Sequence, residues 1–282
     1  MTERYSFLSP DSSLRGIPIY QLERAIASTS LRDGKHLSPD EDMDLAASEI
    51  ENRKIDEFCW SLCFQPEFLI RLFHAGFLPI CTNLGADGDP VYCLLPKLHF
   101  QRCVVEPHSV RVHKTARRKA ARYVMTVDSA FDEVMHACCL QHAGNNWLYP
   151  PLRNALQDIH AVPTGPVRVH SVELWDKEGR LVAGEIGYSV GSAYTSMTGF
   201  YSESGAGAVQ LAALAGLLKQ SGAKLWDLGM GMDYKMDMGA RLMPRAEWLS
   251  AVRQLRNEPR LSFPTSPVPA RELIDCLRSI PP

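Results

Sequence analysis

The stretch from Val167 to Met230 constrains this chain more than any other part of it. VRVHSVELWDKEGRLVAGEIGYSVGSAYTSMTGFYS reads as three β-rich runs, with DKEG and GS as the turns between them. GAGAVQLAALAGLLKQSG then predicts a helix, with glycines at its entry and Gly222 at its exit. AKLWDLGM follows as a buried strand. An antiparallel meander cannot bury both its faces alone, so the apolar helix is expected to pack on one of them.

The rest of the chain is less uniform. Residues 1–55 read as a poorly committed leader, with IYQLERAIAS and the acidic SPDEDMDLAASEIENRK as short helical candidates. Pro66 opens a helix, PEFLIRLFHAG, at the first position, where a missing N–H does no harm, and Gly76 suits its end. LGADGDP is a turn cluster, and Val91–Leu95 a strand. SAFDEVMHACCLQH predicts an amphipathic helix with Ser129 as its N-cap. RAEWLSAVRQLR predicts another, and SFPTSPVPA an extended tail.

Between these lies VRVHKTARRKAARY. It carries Arg111, Lys114, Arg117, Arg118, Lys119 and Arg122, with no acid from 107 to 127. Arg111, Lys114, Arg118 and Arg122 fall at i, i+3, i+7 and i+11, one stripe if the segment is helical. Such a run is either a solvated face or a phosphate-binding surface. The chain as a whole selects neither, because 32 acids against 30 basic residues leave a net charge of -2, so a nucleic-acid surface must be local.

Other classes are excluded or disfavoured. No run approaches eighteen apolar residues, so no membrane partner is expected, and MTERYSFLSPDSSLRG has no apolar core of a signal peptide. The eight cysteines include no CxxC pair and read as free, buried thiols of a cytoplasmic protein. Cys59 and Cys63, at i,i+4, would share a helix face, but a metal site needs two more ligands, and no metal is expected. No His–Ser–acid or His–Cys spacing points to a nucleophile.

Meander, glycine-led helix and strand are the element order of the GCN5-related acetyltransferase core. That core's pyrophosphate loop, (Arg/Gln)xxGx(Gly/Ala), stands here as Ser202-Glu203-Ser204-Gly205-Ala206-Gly207. Its glycines fit, but a glutamate inside it repels a pyrophosphate. A closer resemblance covers about Phe64 to Arg256. QPEFLIRLFHAGFLPI, AFDEVMHACC with NNWLYPPL, HSVELWDKEGRLVAGEIGYSVGSAYTSMTGFYS, SGAKLWDLGM and MPRAEWLSAVRQLR resemble, in order and spacing, blocks of the leucyl/phenylalanyl-tRNA–protein transferases.

The resemblance implies an α/β chain of the α+β kind. Residues 1–96 would form the leader and a small mixed domain, and residues 97–282 an acyltransferase-like domain with the basic helix near its start. It implies the same fold used without coenzyme A or another cofactor. An aminoacyl-tRNA would donate leucine or phenylalanine to a protein N-terminus beginning with arginine or lysine, giving an N-degron, and a monomer is expected. Asp227 matches the family's active-site aspartate. Trp147 matches a tryptophan that stacks on the terminal adenosine of tRNA, and Phe200 a phenylalanine of the strand beside the pocket. The family's glutamate falls at Met197, its glutamine at Gly229 and its second stacking tryptophan at Ile80.

From the hairpin register, Glu185 stands almost opposite Met197, and a carboxylate moved to the neighbouring strand would restore the missing acid. The bland readings remain beside these roles. Trp147 would be a core anchor, Glu185 a solvent-facing strand residue, Asp227 a turn cap, and Met197 and Phe200 core or pocket walls. The expected function is aminoacyl transfer. A catalytically silent tRNA- or degron-binding relative and a small-molecule N-acyltransferase are the alternatives.

Overall fold

The structure is a computed structural model and describes residues 34–85, 90–143 and 147–278. The candidate helix IYQLERAIAS and the middle of the LGADGDP turn lie outside the described residues. Its helices, in chain order, are α1 (Met43–Asn52), α2 (Pro66–His74), α3 (Lys114–Lys119), α4 (Phe131–Gln141), α5 (Pro150–Ala161), α6 (Ala206–Gln220), α7 (Asp233–Asp237), α8 (Arg245–Leu255) and α9 (Ala270–Cys276). Its strands are β1 (Leu78–Asn83), β2 (Tyr92–Lys97), β3 (Gln101–Val105), β4 (Val124–Val127), β5 (Val167–Trp175), β6 (Leu181–Val190), β7 (Ala193–Tyr201), β8 (Leu225–Asp227), β9 (Arg241–Pro244) and β10 (Val268–Pro269). They divide into two compact units, Met1–Phe100 with Asn145–Val162, and Gln101–Gly144 with Pro163–Pro282.

In the first unit, β1 and β2 form an antiparallel hairpin, and α1, α2 and α5 belong with it. The Asp42 carboxylate caps α1 by accepting the Asp44 and Leu45 N–H groups, and Met43, Ala46, Ala47 and Ile50 bury one face. This corrects the reading of residues 1–55 as uncommitted, because 43–52 contribute to a core. Pro66 opens α2 as expected, and Gly76 follows it at φ +93°. Cys59 and Cys63 do not share a helix, since both lie in extended chain between α1 and α2. Cys81 stands opposite Leu94 and Cys93 opposite Thr82, so the two thiols point to opposite faces of the hairpin.

The second unit is an eight-stranded sheet in the order β10-β4-β5-β6-β7-β8-β3-β9. The three β-rich runs form the expected antiparallel meander β5–β6–β7, and β8 lies parallel to β7. A parallel neighbour needs a crossover, and α6 supplies it. Gly205 takes φ +84° at the N-cap of α6, a conformation other residues adopt only at a cost. The helix α4 is capped differently from expectation. Its N-cap is Ala130, not Ser129, and the Ala130 N–H donates to the Glu173 carboxylate of β5. SFPTSPVPA runs without helix to Pro269, its end bridging β4 as β10, and ARELIDC after it forms α9.

α6 and α9 pack at unusually close range. A methyl group on Gly216 would land on the Leu273 carbonyl oxygen, in backbone. Gly216→Ala should raise intrinsic helix propensity by about 1 kcal/mol. The clash outweighs that gain, since overpacking against backbone costs about 1–3 kcal/mol. The variant is expected to melt below the wild type, and a melting curve at or above it would refute the close packing.

Candidate functional site

The sheet divides at one point. β7 and β8 pair through Ala193↔Leu225, Tyr194↔Trp226 and Thr195↔Asp227, and no further. β7 runs on to Tyr201, while the chain after Asp227 stays with β3: Leu228 N–H donates to Cys103 O and Cys103 N–H to Gly229 O, each at 2.8 Å. Ser196 and Met197 therefore begin one arm of a fork, and Leu228 and Gly229 the other. The positions where the resembling family has its glutamate and glutamine, Met197 and Gly229, stand on opposite arms. Gly229 takes φ +73°, where a glutamine side chain would be strained. Met197 is the extra residue of a β-bulge, because Gly187 pairs with Ser196 and Ile186 with Thr198.

Asp227 is fully buried and fully engaged. Its Oδ2 lies 3.0 Å from Arg102 Nη2 and accepts the Thr195 hydroxyl at 3.1 Å, and its Oδ1 accepts the Gly229 N–H at 2.8 Å. The Arg102 guanidinium lies 4.8 Å over the Trp248 ring of α8. The Tyr188 hydroxyl, whose pKa burial pushes up to about 12, bonds to Thr195 and Arg102. Asp227 thus ties β3, β7 and the loop after β8 together, which is more than a turn cap.

Glu185 does not stand opposite Met197. The bulge shifts the register by one, and its partner is Gly199. Nor does it face solvent. It is buried, with Oε1 accepting the Ser196 hydroxyl at 2.6 Å and the Tyr194 hydroxyl at 3.2 Å, and Oε2 accepting Gln210 Nε2 of α6 at 3.1 Å. Burial raises its pKa, while hydrogen bonds from Ser196, Gln210 and Tyr194 pull it back. Trp226 and Asp227 are consecutive strand residues, so their side chains leave opposite faces. Trp226 Nε1 donates to Ser196 Oγ at 2.9 Å, which puts Glu185 on the Trp226 side. The two carboxylates are separated by the sheet, and the expected shared face does not form.

The second arm is held by Lys235 of α7. Its buried Nζ donates to Leu228 O at 2.6 Å and Met230 O at 2.8 Å, and burial lowers its pKa. Phe200 stands opposite Gly184, and a methyl group there would come within 3.2 Å of its ring and 3.3 Å of Val134 of α4. Phe200 is therefore packed beneath α4. In the first unit, Cys81 N–H donates to Trp147 O at 3.2 Å, so Trp147, half-buried, neighbours β1 and its Ile80.

The basic segment is not one helix. Pro107–Ser109 is a 3-10 turn, α3 is six residues long, and Ala120–Arg122 is a second 3-10 turn. Ala116 and Ala120 are buried against the core, and Arg111 lies in extended chain with its N–H on Met238 O. Arg111 therefore falls outside the helical run 114–122 that carries Lys114, Arg118 and Arg122, and all four are exposed. Arg117 and Lys119 turn inward. Arg117 Nη1 lies 3.7 Å from Asp275, and Lys119 Nζ donates to Ser204 O at 2.6 Å in the glycine loop. In the same loop, Glu203 accepts Tyr123 OH at 3.2 Å and faces Arg180 at 3.4 Å.

Arg102, Thr195, Ser196, Gln210 and Lys235 escape a reading by motif. Two of them carry a signal. Arg102 is the one cation of β3, QRCVV, and Gln210 is the one polar side chain between Ala206 and Leu218 of α6. A lone polar group in an apolar element needs a buried partner.

Two outcomes follow from the site. Asp227→Asn removes the charge facing a buried guanidinium, and breaking such a pair costs about 3–5 kcal/mol. It is expected to unfold at much lower denaturant, and an unchanged midpoint would disprove the coupling. Glu185 has a raised folded-state pKa, so its contribution to stability is complete below its ordinary 4.5 and is lost as pH rises through the folded value. Glu185→Gln cannot titrate. Its melting temperature relative to wild type is expected to climb between pH 4 and pH 8, and a pH-independent difference would contradict the burial argument.

Comparison with known proteins gives a consistent family. The family model "Leucyl/phenylalanyl-tRNA protein transferase" matches residues 104–253. A leucyl/phenylalanyl-tRNA–protein transferase of Psychrobacter arcticus is 31% identical over 67% of this chain and 70% of its own length. One from Thiobacillus denitrificans is 34% identical over 58% of this chain and 71% of its own. Among solved structures, L-PGS from Bacillus licheniformis covers 56% of this chain and 65% of its own at 11% identity and a TM-score of 0.39. The matched region holds the fork, Asp227 and Glu185, and this chain belongs to the leucyl/phenylalanyl-tRNA–protein transferase family.

Proposed function

We propose that this chain transfers leucine or phenylalanine from an aminoacyl-tRNA to the N-terminal amine of a polypeptide, marking it as an N-degron. Within this family, the observation that carries the reading is the Ser196–Glu185 hydrogen bond at the edge of the fork. The ester of an aminoacyl-tRNA is already activated, so the protein must orient the amine and take its proton. As the amine attacks the ester carbonyl, Ser196 accepts its proton and passes its own to Glu185. The C–N bond forms, the C–O bond to the terminal ribose breaks, and the ribose oxygen leaves with the proton returned from Glu185 through Ser196. Burial makes Glu185 a stronger base than an exposed carboxylate.

The other residues take supporting roles. Asp227 acts as a positioning residue that fixes the second arm through Gly229, rather than as the base, because it is buried in a salt bridge to Arg102 and also accepts from Thr195 and Gly229. Met197, half-buried at the bulge, lines an apolar place for the aminoacyl side chain. Trp147 stacks on the terminal adenosine. Arg111, Lys114, Arg118 and Arg122 contact tRNA phosphates, while Arg117 and Lys119 serve the fold. The small-molecule acyltransferase reading is disfavoured by the glycine loop, where Lys119 and Glu203 are engaged within the chain.

The test is a transfer assay with labelled leucyl- and phenylalanyl-tRNA and an arginine-ended peptide. Wild type is expected to form the peptide bond, and Glu185→Gln to lower kcat by roughly 10²–10⁴-fold with tRNA affinity kept. Binding of tRNA without transfer to any amine would favour the silent-binder reading instead. For the donor, Lys114→Glu with Arg118→Glu is expected to weaken tRNA binding and flatten its salt dependence. Equal affinity at every salt concentration would remove this surface from the reading.

A further inference from the structure

Large exposed apolar side chains concentrate immediately beyond the fork. Met230 (57% exposed), Met232, Tyr234 (48%), Met236 and Leu242 (42%) all lie between 230 and 242, whereas the other exposed ones among the described residues are scattered along the chain. Contiguous exposed apolar surface of this kind marks a place where something binds. Methionine suits it, since its flexible, polarizable side chain adapts to varied partners. Leu242 lies over Gly231, where a methyl group would come within 2.8 Å of its Cδ2, so the two ends of the segment meet. Lys235 holds the Leu228 and Met230 carbonyls, so the segment has a defined shape.

Charge narrows the partner. Asp233 and Asp237 are exposed at the two ends of α7, at i,i+4, between the methionines, and neither has an ion pair among the described residues. Of the nearby cations, Lys235 is buried and Arg241 pairs with Glu247 at 3.0 Å, while Arg111 lies beside Gly239, beyond α7. Two free carboxylates repel a phosphate backbone and attract cationic side chains. Met232, Asp233, Tyr234, Met236 and Asp237 of this segment are all exposed. A pocket for one amino-acid side chain would enclose it, burying most of its area. An extended polypeptide is the occupant that both shape and charge fit.

We infer that residues 230–242 dock the acceptor polypeptide, reading basic and apolar side chains that follow its N-terminal residue. The inference rests on the proposed transfer reaction for the identity of the polypeptide as an acceptor. Met230 is three residues from Asp227, so the surface begins within about 10 Å of the second arm of the fork. An N-terminus at the fork leaves its next residues over Met230, Met232 and Met236, with Asp233 and Asp237 facing their cations.

The test uses the full chain and three fluorescein-labelled twelve-residue peptides. All begin with arginine, and they continue with alternating leucine and lysine, leucine and glutamate, or serine and glycine. The leucine–lysine peptide is expected to bind tightest by fluorescence anisotropy. Asp233→Lys with Asp237→Lys, and separately Met232→Ser with Met236→Ser, should each weaken it at least tenfold. Met232→Leu with Met236→Leu should not. In transfer, both weakening pairs should raise the peptide KM and leave kcat and tRNA affinity unchanged. Equal affinity for the three peptides, or wild-type peptide KM in both weakening pairs, overturns the docking surface while leaving the transfer reaction standing. So does a change in oligomeric state, by light scattering, without a change in peptide affinity. Selective peptide binding by a wild type that transfers nothing leaves the surface standing and removes the reaction.

Discussion

Arg102 and Asp227 lie 3.0 Å apart with both side chains out of water. Neither charge tolerates that environment alone, so β3 and β8 are locked in one register by electrostatics as well as by their ladder. The pair also decides what surrounds it. The guanidinium plane is covered by Trp248 of α8, the carboxylate takes Thr195 from β7, and its other oxygen holds the Gly229 N–H. The last pairing between β7 and β8 is at this carboxylate, and the two strands part beyond it.

That arrangement gives physical content to the departures from the family. A glutamine at 229 would need a side chain at φ +73°, whereas glycine takes that conformation freely and still offers its N–H to Asp227. The acid expected at 197 is replaced by a methionine inserted as a bulge. Ser196, on the turn side of the bulge, pairs with Gly187 and lies within 2.6 Å of the Glu185 carboxylate. The polar cluster of Ser196, Glu185, Tyr194 and Gln210 lies on the Trp226 face of the sheet, opposite the Asp227 side chain.

Much of this fold is legible in the sequence because its signals are local. The meander, the glycine-bounded α6 and the proline-led α2 each follow from turn residues and periodicity within the element itself. α9 does not, since ARELIDC is a short segment whose helix is supported by packing of Leu273 on Gly216 of α6, far away in sequence. The basic segment fails for a related reason. Its charges suggest one long helix, but Arg111 is held in the chain before it by its N–H bond to Met238 O, and the helix tightens to a 3-10 turn at Ala120–Arg122.

The sequence by itself determined the meander, the glycine-bounded α6, the strand ending in Asp227 and the family, because each is carried by residue types at fixed spacing. Tertiary structure alone decided what those residues do. A single inserted residue in β7 changes every partner beyond it, and no periodicity announces a bulge. Which face receives Glu185, and which cation neutralises Asp227, are settled between strands far apart in the chain. Arg102 and Asp227 are separated by more than a hundred residues, and only the closed sheet brings their charges together.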